Sequence, residues 1–538
     1  MVWDNKRTLG KVGMYGVPLT PVSLSAITIV AILTFAMEYE TVIGLEVHAH
    51  LLTKSKMFCR CSTDYTSAPP NSHVCPVCLG MPGVLPTINQ QAVEFTVMTA
   101  LALHCTISDY TKFDRKNYPY PDLMKGYQIS QYDAPFGLKG WLVIDVDGEE
   151  KKAGITRVHL EEDVAKLLHR AIAGEEHYSL VDVNRSGVPL MEIVGEPDLC
   201  SPEEARQYLI KLRSILRYLG VSTGNMEEGS FRCDANISIR PQDSPDTLAK
   251  VEVKNMNSFK AVYRALSYEE ERQRKVAAAG KKLFQETRGW IEDRGVTVSQ
   301  RSKEYAHDYR YFPEPDLAPL VLDRAWVEEI KAKLPELPED RRDRFVAEYG
   351  LSPYDVELLT ASREMADYFE DCLKVSPELT PKEIGNWLLG EVSRIMNTYS
   401  VDIVEFRQRV KPEGLVWLIL ATKGNVKVTP GTARLKLTTF APIVTIATAK
   451  SIVEEMYQTK KGADGIIDQR GLSSISDTKE LEKIVAEVIN SNASAVADYK
   501  AGKKQSLKFL VGQVMRATKG RANPAVVNQL MEKKLEEG

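Results

Sequence analysis

Apolar and polar residues alternate along several short segments between residues 41 and 322, and this pattern predicts β-strands. In Thr41–His50 the apolar side chains share one face of the predicted strand, whereas Glu46 and His48 share the other. Phe231–Arg240 alternates in the same way. A sheet with one apolar and one polar face is usually antiparallel. We therefore predict an antiparallel sheet whose polar face is open and rich in charged side chains.

Helical periodicity replaces the alternation after residue 322. Helices separated by Leu-Pro, Ser-Pro and Thr-Pro pairs fill residues 323–410 and predict a small all-helical domain. Residues 411–538 are again mostly helical and predict a helical tail domain. The predicted tail helices are Thr478–Ile489, Ser494–Ala501, Gln505–Thr518 and Pro524–Lys534. The predicted fold class is therefore α+β, with an antiparallel-sheet domain over 37–322, a helical domain and a tail.

Two stretches depart from this organisation. Residues 1–36 resemble a targeting segment and contain an apolar run that is shorter than the roughly 20 residues a membrane span needs. Because globular patterning begins abruptly at Glu38, we favour a start codon assigned too far upstream, with Met37 as the true start. Residues 415–449 are anomalous because a β-like stretch rich in Thr, Val and Ile interrupts the helices. A local frameshift is our hypothesis for this stretch.

Composition and charge narrow the function classes. The 538 residues are 43% hydrophobic and 26% charged, which is typical of globular domains with large cores. The formal net charge is -4, so any nucleic-acid binding must depend on local basic patches. The chain lacks the glycine-rich P-loop, the dinucleotide-binding motif and the Gly-x-Ser-x-Gly elbow. Nucleotide chemistry would therefore use another kind of site.

Four of the eight cysteines form a cluster with metal-ligand spacing. Cys59 and Cys61 form a C-x-C pair, and Cys75 and Cys78 form a C-x-x-C pair after a loop. Each pair can hold one side of a tetrahedral Zn2+, and four thiolates leave no position for a substrate. We therefore predict a structural zinc site in a reducing compartment. The alternative is four free buried thiols.

Carboxylates in three separate segments predict a second metal site. Glu46 and His48 share a strand face, and Glu162 belongs to an acidic run. Glu192 stands in an apolar strand, where an unpaired carboxylate is costly to bury. Such an oxygen-rich set suits Mg2+. The alternatives are a solvated strand face and a salt bridge from Glu192 to an arginine.

Several long motifs in a fixed order resemble the B subunit of the tRNA-dependent aspartyl/glutamyl amidotransferase. The resemblance covers residues 38–410 and resumes from about residue 450 to the end. The motifs that carry it are Glu40–His48, Ser55–Phe58, Lys112–Tyr118, Tyr127–Gln131, Met226–Gly229, Arg232–Asn236 and Asp308–Asp316.

The resemblance implies an ATP- and Mg2+-dependent subunit of a cytoplasmic heterotrimer that has no membrane association. An amidase subunit would release ammonia from glutamine, and a small third subunit would complete the complex. The B subunit would phosphorylate the side-chain carboxylate of Glu on tRNA(Gln) or of Asp on tRNA(Asn). Ammonia delivered through a channel would then convert the acyl phosphate to the amide. The implied domains are a catalytic cradle, a helical domain and a tail that grips tRNA.

The resemblance also gives candidate residues for each role. The Mg2+ ligands would be Glu46, His48, Glu162 and Glu192, with Glu161 as a neighbour. Lys116 would act at the catalytic site, and the nucleotide or substrate contacts would be Arg115, Asp234 and Asn236. The candidate tRNA contacts in the tail are Lys503, Lys504, Lys508, Arg516, Lys519 and Arg521. The alternative for these cations is a set of solvated helix faces, since solubility also calls for Lys and Arg.

Two other functions compete with this one. A zinc-stabilised RNA-binding scaffold would bind tRNA without chemistry, and a Mg2+-dependent phosphohydrolase would need no tRNA. Replacing Glu46 with Ala discriminates between an enzyme and a scaffold when ATP cleavage and tRNA binding are both measured. An enzyme should lose ATP cleavage and keep tRNA binding, whereas a scaffold has no ATP cleavage to lose.

Overall fold

The computed structural model describes residues 38–537 with gaps at 171–177, 243, 303–308, 424–442, 471–477, 502, 504, 519–521 and 523. The N-terminal stretch 1–36 and residues 424–442 of the anomalous stretch therefore lie outside the described residues. The chain divides into two compact units. Among the described residues, the first unit is drawn from the ranges 38–45, 197–205 and 234–307, and the second is drawn from 46–196, 206–233 and 308–537. The predicted domain boundaries follow the chain order and stay a prediction.

The alternating segments fold as strands, numbered here in chain order. The strands are β1 (Tyr39–His50), β2 (Thr106–Ile107), β3 (Tyr110–Thr111), β4 (Asp114–Asn117), β5 (Tyr127–Ser130), β6 (Gly137–Val146), β7 (Glu149–Glu162), β8 (Lys166–Arg170), β9 (Tyr178–Asp182), β10 (Pro189–Gly195), β11 (Phe231–Pro241), β12 (Val251–Lys254), β13 (Glu286–Ile291), β14 (Val296–Ser302), β15 (Phe312–Pro313) and β16 (Leu320–Val321). Along β1 every second residue from Thr41 is buried, and Glu46 and His48 lie between the buried ones. The predicted alternation is confirmed for this strand.

The sheet of the second unit is antiparallel throughout. The Glu46–His50 part of β1 pairs with β10, β10 pairs with β7, and β6 lies between β7 and β2. Strands β4, β5 and β15 form a small sheet, β3 pairs with β16, and β8 pairs with β9 as a hairpin. The α+β class with an antiparallel sheet is therefore confirmed here.

Strands β11 to β14 follow one another in the order β14-β13-β12-β11, and all but the start of β11 belong to the first unit. The β11–β12 and β13–β14 pairs are antiparallel, whereas β12 and β13 run parallel. The helix Phe259–Ala278 begins after Ser258, whose side chain accepts a hydrogen bond from the Ala261 N–H. Its fully buried Glu269 lies 2.9 Å from Arg288 of β13, so an ion pair connects helix and sheet.

Helices are likewise numbered in chain order. Within the first part of the chain they are α1 (Gln90–Ala102), α2 (Pro202–Tyr218) and α3 (Phe259–Ala278). The helical region comprises α4 (Arg324–Ala332), α5 (Pro338–Tyr349), α6 (Pro353–Leu359), α7 (Arg363–Val375), α8 (Pro381–Trp387), α9 (Ser393–Tyr399), α10 (Ile403–Arg409), α11 (Pro412–Ala421), α12 (Ile446–Thr459) and α13 (Ala463–Arg470). The tail comprises α14 (Thr478–Ser491), α15 (Ala493–Lys500), α16 (Gln505–Ala517) and α17 (Pro524–Glu537). Short 3₁₀ helices cover Val183–Arg185 and Glu292–Arg294, and a π-helix covers Leu388–Val392.

One apolar core joins the helices between α5 and α13. It includes residues 415, 416 and 418–421 of α11 and residues 449, 452 and 453 of α12. Inside the anomalous stretch, 415–421 and 446–448 are therefore helical, and the β-like interpretation is wrong at residues 446–448. Burial against this core outweighs the weak strand preference of Thr, Val and Ile, and the Thr445 side chain caps α12.

The predicted tail helices are confirmed with ends that shift by at most a few residues. A separate small core, which includes Leu481, Val485, Leu510 and Val514, holds them together. Within the described part of the chain, no helix combines the length and the apolar character that a bilayer crossing requires.

Candidate active site and metal centres

Strand register assembles a row of polar side chains across three strands of the second unit. His48 of β1 lies opposite Glu192 of β10, and Glu192 lies opposite His159 of β7. Cross-strand partners project from the same face of a sheet. Glu46 and Glu161 belong to the same face because each is two residues from a member of the row. We call these five residues the cation centre.

Distances within the cation centre suit shared ligation. His48 Nε2 lies 3.2 Å from Glu192 Oε2, 3.6 Å from Glu46 Oε1 and 3.9 Å from Glu161 Oε1. His159 Nε2 lies 3.5 Å from Glu192 Oε2. The possible ligand atoms lie within 4.8 Å of one another in two sets of three residues, which are Glu46–His48–Glu192 and His159–Glu161–Glu192. Glu192 belongs to both sets.

The protonation of the cation centre follows from its burial and its charges. Burial opposes the charge of Glu192, but His159 and His48 outweigh it and lower the pKa of Glu192. Burial raises the pKa of Glu161. Burial disfavours the imidazolium of His48, yet Glu192, Glu161 and Glu46 raise its pKa to about 9. The raised pKa of His48 thus indicates that this acidic group attracts positive charge.

His159 remains neutral in the same group. Its burial lowers the pKa to about 4, although Glu192 acts in the opposite direction. Its Nδ1 is buried and makes no hydrogen bond within the described residues. Carboxylates and neutral imidazoles bind divalent cations, and the acidic group needs positive charge. The residues present therefore fit a divalent cation such as Mg2+, with Glu192 as the shared ligand.

Comparison with known proteins adds a second line of evidence. Residues 41–328 match the family model described as the GatB/GatE catalytic domain, and residues 442–535 match the one described as the GatB domain. The chain belongs to the GatB family. It is 61% identical over 508 residues to a Dehalococcoides mccartyi protein named as the B subunit of aspartyl/glutamyl-tRNA(Asn/Gln) amidotransferase, covering 93% of this chain and 100% of that one.

Proteins with the same name in Thermomicrobium roseum and Carboxydothermus hydrogenoformans are 54% and 52% identical to this chain. Each comparison covers 93% of this chain and 99% of the relative. The resemblance drawn from the sequence motifs is therefore confirmed. This membership places the chain among the subunits of an amidotransferase enzyme family.

Glu162 is not part of the cation centre in this GatB-family chain. Lys125 and the Ile129 N–H (3.0 Å) both donate hydrogen bonds to its carboxylate. It lines a cavity beside Cys59 and Cys78. Adjacent residues of a strand face opposite sides of the sheet, so Glu161 and Glu162 cannot share this role. The prediction of Glu162 as a ligand beside Glu192 is therefore corrected to Glu161.

The charge of Lys116 interacts with two carboxylates of the cation centre, and its catalytic role stays a prediction. Burial opposes its charge, but Glu161, Tyr311 and Glu192 outweigh that effect and raise the pKa of Lys116. Its Nζ lies 5.2 Å from the centre of the Tyr309 ring. The side chain is therefore a fixed cation beside the carboxylates.

The other predicted substrate contacts have partners of their own. The Arg115 guanidinium donates two hydrogen bonds of 2.7 Å to Glu314, and it stacks over Tyr127 at 4.3 Å. Asp234 and Asn236 lie on β11 in the first unit, where Asp234 accepts a hydrogen bond of 2.6 Å from Lys254. The contacts of these residues explain their local structure, and their role in binding a substrate stays a prediction.

The buried Asp163 is a feature that sequence reasoning missed. Its carboxylate lies 2.6 Å from His50 Nε2, 3.1 Å from Arg232 and 3.5 Å from Arg185. Burial opposes its charge, but Arg232 and His50 outweigh it and hold the pKa of Asp163 well below its usual range. Period-two alternation along β7 could have identified His159 beside Glu161, whereas Asp163 follows the end of the strand and gives no such signal.

The cysteine cluster consists of Cys59, Cys61, Cys75 and Cys78, whose sulfur atoms lie within 4.8 Å of one another. The pKa of Cys78 is lowered to about 5, mainly by a hydrogen bond with Cys59, and the charge of the buried Lys56 lowers it further. Burial is the main cause that raises the pKa of Cys61 to about 11. Four sulfur donors at this spacing fit a tetrahedral Zn2+.

The predicted tail cations differ in their surroundings. Lys508 and Arg516 are exposed on α16. Lys503 is also exposed, but its Nζ forms an ion pair of 2.9 Å with Asp498. Lys504, Lys519 and Arg521 lie outside the described residues.

Proposed function

We propose that this chain is the B subunit of a tRNA-dependent amidotransferase, acting in the cytoplasm with an amidase subunit and a small third subunit. It activates the side-chain carboxylate of Glu on tRNA(Gln), of Asp on tRNA(Asn), or of both, using ATP. Ammonia from the amidase subunit then gives the amide. The observation that carries the proposal is the row His48–Glu192–His159 in a chain of this family.

The chemistry explains why such a row is useful. A side-chain carboxylate is a poor acyl donor, and phosphorylation supplies the leaving group that ammonia displaces. Phosphoryl transfer depends mainly on positioning and on neutralising negative charge. A Mg2+ ion bound by Glu46, His48, Glu161 and Glu192 would neutralise phosphate oxygens there.

The residues of this chain supply the rest of the environment. Lys116 stays protonated beside Glu161 and Glu192, so it can face a phosphate oxygen or the developing acyl phosphate. Glu192 and His159 are buried, which limits the access of water to an intermediate that hydrolyses readily. The His48 imidazole would have to be neutral to serve as a ligand, because a metal ligand must be deprotonated.

The cysteine cluster has a structural role in this proposal. Four thiolates fill a tetrahedral Zn2+ and leave no open position for catalysis. The cluster holds the loop 62–74 between its two pairs, and the Nζ of Lys56 donates a hydrogen bond of 2.8 Å to the His73 carbonyl in that loop. We propose 37–322 as the catalytic cradle, 323–410 as the helical domain and 411–538 as the tRNA-binding tail.

The tail is proposed to bind tRNA through its basic side chains. Exposed Lys508 and Arg516 on α16 support this role, and Lys503, Lys504, Lys519 and Arg521 are candidates from the sequence. Contacts of this kind neutralise phosphates and do not read bases, so the recognition depends on tRNA shape.

The test uses the complex of this chain with its amidase and small subunits, free ammonia, and misacylated tRNA(Gln) and tRNA(Asn). ATP cleavage and amide formation are measured for wild type and for Glu192→Gln. We expect the variant to lose activity at least about 100-fold while it keeps tRNA affinity, because the shared ligand is lost. Glu196→Gln is the matched control, since Glu196 follows the same strand and is exposed. Undiminished turnover in Glu192→Gln would indicate that the chemistry takes place at another site, and tRNA binding without ATP cleavage in the wild-type complex would favour the scaffold.

A further inference from the structure

An aromatic pair connects the loop that follows β5 with the residue that precedes β15. The Tyr132 and Tyr311 rings stack with centroids 4.3 Å apart and planes inclined by 13°. Tyr132 is 54% exposed although Tyr311 covers one face of its ring, so the opposite face is open among the described residues. The Tyr132 N–H donates a hydrogen bond of 3.1 Å to the buried Asp114, which fixes the loop. We call Tyr132 and Tyr311 the aromatic ledge.

The aromatic ledge begins at the border of the cation centre. The Ser130 hydroxyl, two residues before Tyr132, donates a hydrogen bond of 3.0 Å to Glu161 of the cation centre. The Tyr311 ring lies 6.0 Å from the Tyr309 ring, and Lys116 Nζ lies 5.2 Å from that same Tyr309 ring. These contacts place the ledge beside the groups proposed to hold Mg2+ and phosphate. The stack continues outward from there to the exposed ring of Tyr132.

The ledge differs from an ordinary exposed tyrosine. Tyr110 is 48% exposed, yet within the described residues it stacks on no other ring. An exposed aromatic ring held in place by a second ring loses little freedom when a flat ligand stacks on it. Such platforms bind nucleic-acid bases through their π-faces, because every base offers one.

We propose that the open face of Tyr132 stacks on the purine of an adenosine whose phosphates or acyl group reach the cation centre. This inference rests on the proposed function, because that reaction brings two adenosines to the site. One is the nucleoside of ATP, and the other is the 3′-terminal adenosine of the misacylated tRNA. Both offer the same flat purine, and the experiment distinguishes them.

The test compares Tyr132→Leu, Tyr132→Phe and the control Tyr110→Leu in the complete complex. The KM values for ATP and for misacylated tRNA are measured in the cleavage assay. Magnesium tripolyphosphate, which has the phosphates of ATP without the base, serves as a competitive inhibitor. We expect Tyr132→Leu to raise one of the two KM values roughly 10- to 100-fold, the loss of one stacked base. Tyr132→Phe and Tyr110→Leu stay near wild type, and tripolyphosphate inhibition does not change.

Each outcome then has one meaning. A rise confined to ATP assigns the ledge to the adenine of ATP, and a rise confined to tRNA assigns it to the terminal adenosine. Unchanged KM values in an active Tyr132→Leu complex overturn the inference alone. Equal losses in the Leu and Phe variants, with weaker tripolyphosphate inhibition, also overturn it, because they indicate damage to the phosphate site. A wild-type complex that cleaves no ATP overturns the proposed function, and the inference with it.

Discussion

The cysteine cluster draws its four residues from the range 59–78, whereas the cation centre draws its five residues from three strands between residues 46 and 192. The first is one loop region with four identical sulfur donors. The second exists only when three strands pair in one register. A candidate metal site within one loop can therefore be recognised from spacing, whereas a candidate site across strands depends on which residues face each other.

The two sites are also expected to respond differently to damage. A closed zinc site contributes to folding, because its ligands come together only in the folded chain. If the cation centre has the proposed role, its variants would change turnover, because the proposed ion balances carboxylates that otherwise repel one another. Variants of the two sites should therefore separate stability from activity.

Cys78→Ser should have the largest effect on stability. The loss of a buried zinc ligand should lower the free energy of unfolding by about 3–5 kcal/mol, because the loss of a structural metal is among the most damaging changes. Thermal unfolding and zinc content measure it. Cys105→Ser is the control, since Cys105 is buried outside the cluster. A zinc-free Cys78→Ser protein with wild-type stability would contradict the structural role.

Glu161→Gln and Glu162→Gln should separate two neighbouring carboxylates. The Mg2+ concentration that gives half-maximal ATP cleavage should rise roughly 10- to 100-fold for Glu161→Gln, because a ligand is weakened. Glu162→Gln should leave that concentration within about 2-fold of wild type, since its carboxylate faces Lys125. The same titration with both variants checks this. The reverse order would restore the assignment made from sequence.

Asp163→Asn should lower the free energy of unfolding by about 3 kcal/mol, because it leaves Arg232, Arg185 and His50 without their buried anion. The pKa of Asp163 is lowered in the folded state, so its stabilising effect is present above the unfolded value of about 4. It is lost as the pH falls below that value. Denaturant unfolding from about pH 3 to 7 measures both effects. The free energy of unfolding of Asp163→Asn should no longer fall with acid pH in this way. A pH profile equal to that of the wild type would argue against the stabilising role of Asp163.

Lys508→Ala with Arg516→Ala should have the smallest effect. Two lost phosphate contacts should reduce the slope of log affinity for tRNA against log salt by about 2. Salt titrations of tRNA binding measure the slope. Lys483→Ala is the matched control, because Lys483 is exposed on α14 and is not among the candidate tRNA contacts. Equal slopes in all three proteins would favour solvated helix faces.

Sequence patterns identified some residues of the candidate sites but not others. The alternation of β1 placed Glu46 and His48 on one face, and Glu192 stood out as a carboxylate in an apolar strand. The choice between Glu161 and Glu162 needed the register of β7 against β10, which no spacing within one strand provides. In the stretch 415–449, intrinsic preference suggested strands, but the packing of α11 and α12 decided for helix at residues 415–421 and 446–449.

The most direct test of the cation centre is an anomalous difference map from crystals of the complex soaked in Mn2+, which replaces Mg2+ at oxygen-rich sites. The account predicts a peak within ligand distance of Glu192 and His48. A peak confined to another group of carboxylates, with Glu192 and His48 free of metal, would contradict it.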